Sequence, residues 1–174
     1  MLKCLLLALS AALMWGQNTP AVNTPISSWP AGAIPVWTKY SVAKTAGNWL
    51  VNGANSQAAT ATTTQAINIF TIPANGYIHA FRIKTTTACA GVTLLAVSSV
   101  GVTGAATLFN STLAYDLKAA VSATNISLPL LAAQGSNTAA STTFTVTVDA
   151  TAQNISSVTD GCAFDVHVLS SVLP

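Results

Sequence analysis

The sequence predicts an all-β fold, an antiparallel β-sandwich of jelly-roll type, and three observations carry that expectation. Apolar residues recur at every second position in run after run, which is the period of a strand with one buried face. The runs are short, and breaks of Gly, Asn, Ser and Pro separate them, as tight connections require. Threonine fills many of the alternate positions, where a β-branched side chain with a hydroxyl suits the wet side of a half-buried sheet. A chain of 174 residues, 51% of them hydrophobic, can bury one sizeable core, so one main domain is expected.

Residues 1–16 read as a signal-peptide-like leader. Lys3 is followed by the apolar run Cys4 to Leu13 and then by Met14-Trp15-Gly16 before polar Gln17. That is the layout of an export signal, and it is too short for a stable membrane span, which takes about 20 apolar residues. The alternative is a hydrophobic leader helix that stays on the protein. Residues 17–35 form a proline-rich arm, with Pro20, Pro25, Pro30 and Pro35 at a spacing of five. Proline fixes φ and has no N–H to donate, so the arm is extended and lies outside any central sheet. All four tryptophans fall within the first fifty residues. Aromatic rings in an irregular arm imply docking, on the chain's own domain or on a neighbouring subunit, and Trp29, Trp37 and Trp49 are the candidate arm-docking residues.

Residues 36–174 constitute the sandwich. Phe144, Val146 and Val148 alternate with Thr143, Thr145 and Thr147 in the clearest strand. Phe164, Val166 and Val168 alternate with Asp165, His167 and Leu169, and Tyr77, His79, Phe81 and Ile83 with Ile78, Ala80, Arg82 and Lys84. Further strands are expected over 36–42, 65–72, 92–100 and 125–131, with breaks at Asn75-Gly76, 101–104, 134–137 and 159–161. The alanine-rich stretch 113–123 predicts one short helix.

If the leader is removed Cys4 goes with it, and Cys89 and Cys162 remain as a candidate disulfide in an exported chain. The alternative is a pair of buried thiols acting as small hydrophobes. Only ten side chains are Lys, Arg or Asp, and there is no Glu. A surface made of Thr, Ser, Asn, Gln and Ala suits subunit packing or life outside the cytoplasm better than it suits a soluble cytosolic enzyme. The cations read as scattered, with only Arg82 and Lys84 close together, so no nucleic-acid partner is expected. Those two share a strand face and could meet an acidic neighbour, or could simply keep an edge solvated.

No catalytic constellation is present. Asp165 and His167 lie on one strand face as an acid–base or metal half-site, but no further ligand has suitable spacing, so a polar strand face is the expected reading. Neither a G-x-S-x-G turn nor a phosphate loop occurs, and no cofactor or metal is expected. Trp37, Tyr40 and Trp49 are a candidate sugar-stacking platform, with the arm's docking site as the better fit.

The segment FTIPANGYIHAFRIKTTTACAG, Phe70 to Gly91, resembles a segment of small structural proteins of tailed bacteriophages. Those read as a strand ending in FTIPAG, a turn, and a strand of the IHxVRIKTTTAFAG kind. The similarity extends through VTLLAVSSVG and YDLKAAVSATN to the closing FTVTVDATAQNISSVTDGCAFDVHVLSSVLP, over Gln65 to Pro174. It implies a non-enzymatic β-sandwich of the virion, a head decoration, head-fibre or tail-associated subunit that forms a homo-oligomer and contacts other virion proteins. It brings no functional residues with it. Such proteins assemble without an export signal, whereas this chain opens with one. Two settings follow: a virion component whose leader is a retained anchor, or an exported bacterial surface module that binds a glycan or a host surface.

Overall fold

The computed structural model describes residues 34–110, 114–119, 126–128 and 141–172. The chain divides into two units, Met1–Ala33 and Ile34–Pro174, and the fold described is that of the second. The leader, the prolines up to Pro30 and Trp29 therefore lie outside the described residues.

Among the described residues there are eleven strands: β1 (Val36–Thr45), β2 (Asn48–Val51), β3 (Asn55–Ala58), β4 (Thr64–Ile72), β5 (Gly76–Thr87), β6 (Ala96–Val102), β7 (Ala105–Asn110), β8 (Tyr115–Asp116), β9 (Ile126–Leu128), β10 (Thr142–Asp149) and β11 (Ala163–Val172). They make two antiparallel sheets. One has six strands in the order β3-β2-β1-β11-β5-β9; the other runs β4-β10-β6-β7, with β8 also paired to β6. The protein is an all-β sandwich, and among the described residues there is no α-helix.

Alternation decides which side chains enter the core. Val42, Trp49, Val51, Phe81, Ile83, Phe164, Val166 and Val168 come from the first sheet, and Ile67, Val97, Val100, Phe144, Val146 and Val148 from the second; all are buried. Phe144 ties the two layers together. It stacks on Phe70 at 5.3 Å and on Phe109 at 5.6 Å, and meets Phe81 of the opposite sheet edge-on at 6.5 Å.

Four strands, β2, β3, β7 and β8, lie where the sequence alone predicts none. Ala46-Gly47 and Asn52-Gly53 all take positive φ, and the two turns connect β1, β2 and β3 into a three-stranded meander. Asn-Gly at such a position is a hairpin signal, because both residues tolerate the left-handed region. At the far end Gly101 is obligatory for a different reason: a Cβ there would lie 2.2 Å from the carbonyl oxygen of Ala105.

The expected helix over 113–123 is not formed in the part described, residues 114–119. Tyr115 pairs with Val97 as β8, its phenol accepts the Thr85 N–H at 2.9 Å, and the Leu117 N–H donates to Leu95 at 2.9 Å. These long-range partners outweigh the modest helix preference of alanine. The strand expected from residue 92 starts at Ala96 instead, after a bend.

Candidate functional site

The outward face of the six-stranded sheet gathers charge that lies far apart in the sequence. On β1 the outward positions are Trp37, Lys39 and Ser41, on β11 Leu169, His167 and Asp165, and on β5 Ala80, Arg82 and Lys84. The register sets Lys39 opposite His167 and His167 opposite Arg82, in one row across three strands. The next row is Ser41, Asp165, Lys84. Contacts confirm the shared face: the Arg82 guanidinium lies 5.1 Å from the Trp37 ring centre, Lys39 Nζ is 3.8 Å from Asp165 Oδ2, and Ser41 Oγ donates to Asp165 Oδ1 at 2.8 Å. Lys39 is 57% exposed and Trp37 45%. The reading of the cations as scattered is thus overturned, because strand pairing folds positions 39, 82 and 84 onto one surface.

Beside this face, at one end of the sandwich, lies a stapled corner. Cys89 and Cys162 are joined by a disulfide, with a Cα–Cα distance of 4.4 Å. Lys44 is buried on the inward side of β1, with its side chain 2% exposed, and its ammonium reaches Asp160 Oδ1 at 3.2 Å. The Gly47 N–H also donates to that oxygen at 3.1 Å. These two contacts, the Gly47 N–H first and then Lys44, hold the Asp160 carboxyl below the usual carboxylate range. A group depressed in this way stabilises the fold above its unfolded pKa, and that contribution is lost as pH falls through the lowered folded value. Urea midpoints are therefore expected to drop more steeply below about pH 4 in the native protein than in an Asp160→Asn variant. Parallel profiles would show that this corner contributes nothing to acid stability.

A third feature is an open groove of about 430 Å³ between the sheet edges β3 and β4, lined by Asn55, Gln57, Asn68, Phe70, Thr71 and Thr143. Gln57 already spans it. Its amide donates to the Asn68 carbonyl at 2.9 Å and accepts the Asn68 N–H at 2.8 Å. A side chain thus takes the place of a strand partner and caps an edge that would otherwise invite pairing.

The structure does not bring Trp37, Tyr40 and Trp49 together as a platform. Trp37 points outward. Tyr40 is on the opposite side of the same strand, stacked on Phe70 at 4.7 Å. Trp49 is fully buried and meets Phe164 edge-on at 6.2 Å, so it belongs to the core instead of lining a docking surface for the arm. A strand's period of two forbids adjacent parities from sharing a face. Asp165 and His167 do share one, and Asp165 is engaged by Ser41 and Lys39. His79 lies apart, 2.7 Å from Ser171 Oγ, and burial pushes its imidazole down. Among the described residues no group of three or more His, Cys, Asp or Glu is placed to hold a metal, and no helix is long and apolar enough to cross a membrane.

Sequence reasoning missed Lys39 and its row with His167 and Arg82. Its only trace in the sequence was parity, since all three occupy polar positions of alternating runs. No family model matches the chain, and no curated protein or solved structure matches it at a significant level.

Proposed function

We propose that this chain is a non-enzymatic structural protein of a bacteriophage-like particle, a capsid decoration or a fibre- or tail-associated subunit, and that its sandwich is a jelly roll. The strand order carries the reading. Without the β2-β3 hairpin and the short β8, eight strands remain in chain order. The first pairs with the last, the second with the seventh, the third with the sixth and the fourth with the fifth. A long two-stranded ribbon rolled into two sheets has this wiring, and such rolls build viral capsid domains as well as lectins. The wording of 70–91, similar to that of small tailed-phage virion proteins, points the same way.

The two outer faces support a division of labour. On the side of the other sheet Ala66, Asn68 and Thr71 of β4 are exposed, beside half-buried Thr143 of β10, a small, uncharged surface suited to packing against like surfaces. The hydroxyls of Thr145 and Thr147 are buried without a hydrogen-bond partner among the described residues. Apolar Ile34, Val36 and Val172 are exposed, as subunit contacts would require.

The disulfide favours a second reading, an exported bacterial adhesion or ligand-binding module, because such bonds persist in oxidising compartments. Fractionating a culture of the native host into cells, soluble secretome and density-purified particles separates the two. Co-sedimentation of the chain with a capsid protein is expected. Recovery only as a soluble or cell-surface protein would overturn the particle reading and leave the adhesion module.

A further inference from the structure

We infer that the outward face of the six-stranded sheet, centred on Arg82, Lys39 and Trp37, is a binding surface for an acidic polysaccharide. The charge on this face calls for an anion. It carries three cations, Lys39, Arg82 and Lys84, against the single carboxylate of Asp165, which is half of the six Lys and Arg in the whole chain. Two copies of a face with this excess of positive charge repel each other. A second copy has little negative charge to offer it, because the chain has only four acidic side chains and each already accepts a local hydrogen bond. Asp116 accepts the Lys118 N–H, Asp149 the Thr151 N–H, Asp160 the Gly47 N–H and the Lys44 ammonium, and Asp165 the Ser41 hydroxyl. This balance favours a different, anionic molecule as the source of the complementary charge.

Shape and spacing select among polyanions. The three cations stand on the open outward side of a sheet, so the ligand lies across it as an extended chain. The backbones of Arg82 and Lys39 are two strands apart, about 10 Å, and the Arg82 guanidinium leans toward β1 over Trp37, so an extended acidic glycan can reach both cations with its carboxylates. Trp37 is 45% exposed with the Arg82 guanidinium over its ring, and the remaining indole surface is of the kind that covers the apolar side of a sugar ring. Single-stranded nucleic acid fits less well. It presents a charge at every nucleotide and gains much of its affinity from stacking successive bases, whereas two excess positive charges release few counterions.

The test is titration of the full chain with hyaluronate, which carries one carboxylate per disaccharide, with neutral dextran and thirty-residue poly(dT) as comparisons. Hyaluronate binding that weakens with added salt is expected, with no binding to dextran. Arg82→Ala and Lys39→Ala are each expected to reduce affinity about tenfold, the worth of one charge-assisted contact. Trp37→Ala should weaken binding without changing its salt dependence. Lys118→Ala, which removes a charge outside this face, should leave binding unchanged. All of these but Lys118 are exposed on a sheet face away from the core, and circular dichroism melting verifies that each variant is folded. No binding to hyaluronate, equal binding by Arg82→Glu, or tighter binding to poly(dT) would each overturn the inference. The prediction holds whether the chain sits on a particle or on a cell surface, so it fails or stands separately from the particle reading.

Discussion

Replacing Cys162 with serine, or reducing the Cys89–Cys162 bond, is expected to lower the stability of the sandwich by about 4 kcal/mol on the chain-entropy model. The bond spans a sequence separation of 73, and a closed loop of that length removes a large share of the freedom of the unfolded chain. The native contacts at this corner make the loss cooperative. The Lys44 N–H donates to the Cys162 carbonyl at 2.8 Å, the Gly161 N–H to the Lys44 carbonyl at 2.8 Å, and the Cys89 N–H to Leu117 at 2.9 Å. The ends of β1 and β11 and the loop around Leu117 therefore all depend on the same staple. Urea unfolding with and without reductant measures the effect. A midpoint unchanged by reduction would mean that the reduced unfolded chain is already held together at this point by other contacts.

Phe144→Ala is expected to cost about 3–5 kcal/mol, the range for deleting a fully buried aromatic ring. In a domain of this size that lowers the melting temperature by about 2–4 °C for each kcal/mol lost. The effect should fall at the upper end, because Phe144 touches rings from both sheets, Phe70 and Phe109 on its own side and Phe81 across the core. No single neighbour can move to fill the cavity without leaving another contact. Phe144→Leu, which keeps most of the volume, should lose less than half as much. Equal losses in thermal melts of the two variants would indicate that ring geometry, and not filled volume, holds the layers together.

The parts of the fold that were legible in the sequence are those where one residue type repeats at a period of two. β1, β4, β5, β10 and β11 all announce themselves in this way, because each is half buried over eight residues or more. β3 does not. Its Asn-Ser-Gln-Ala carries no apolar alternation, and it is a strand because the Asn52-Gly53 turn returns the chain alongside β2 and because Gln57 finds the backbone of Asn68. β8 was hidden for the opposite reason. Alanine around it favours a helix locally, and only the pairing of Tyr115 with Val97 and the hydrogen bond from Thr85 override that.

The candidate surface follows the same division. Parity along each strand is local, so the sequence by itself determined that Arg82 and Lys84 share one side, that Asp165 and His167 share one side, and that the chain is a charge-poor all-β protein. Which strands are neighbours is not local. The sequence separates Lys39 from Arg82 and His167 by long stretches of chain, and only the tertiary pairing of β1 with β11 and of β11 with β5 sets the three in one row. Likewise, its place in the first fifty residues marked Trp49 as one more candidate for docking the arm, and only the packing of the two sheets decided that it is a core residue. The physical reason is that side-chain direction is set by φ and ψ within a few residues. Strand order is chosen by the burial of the whole apolar surface at once.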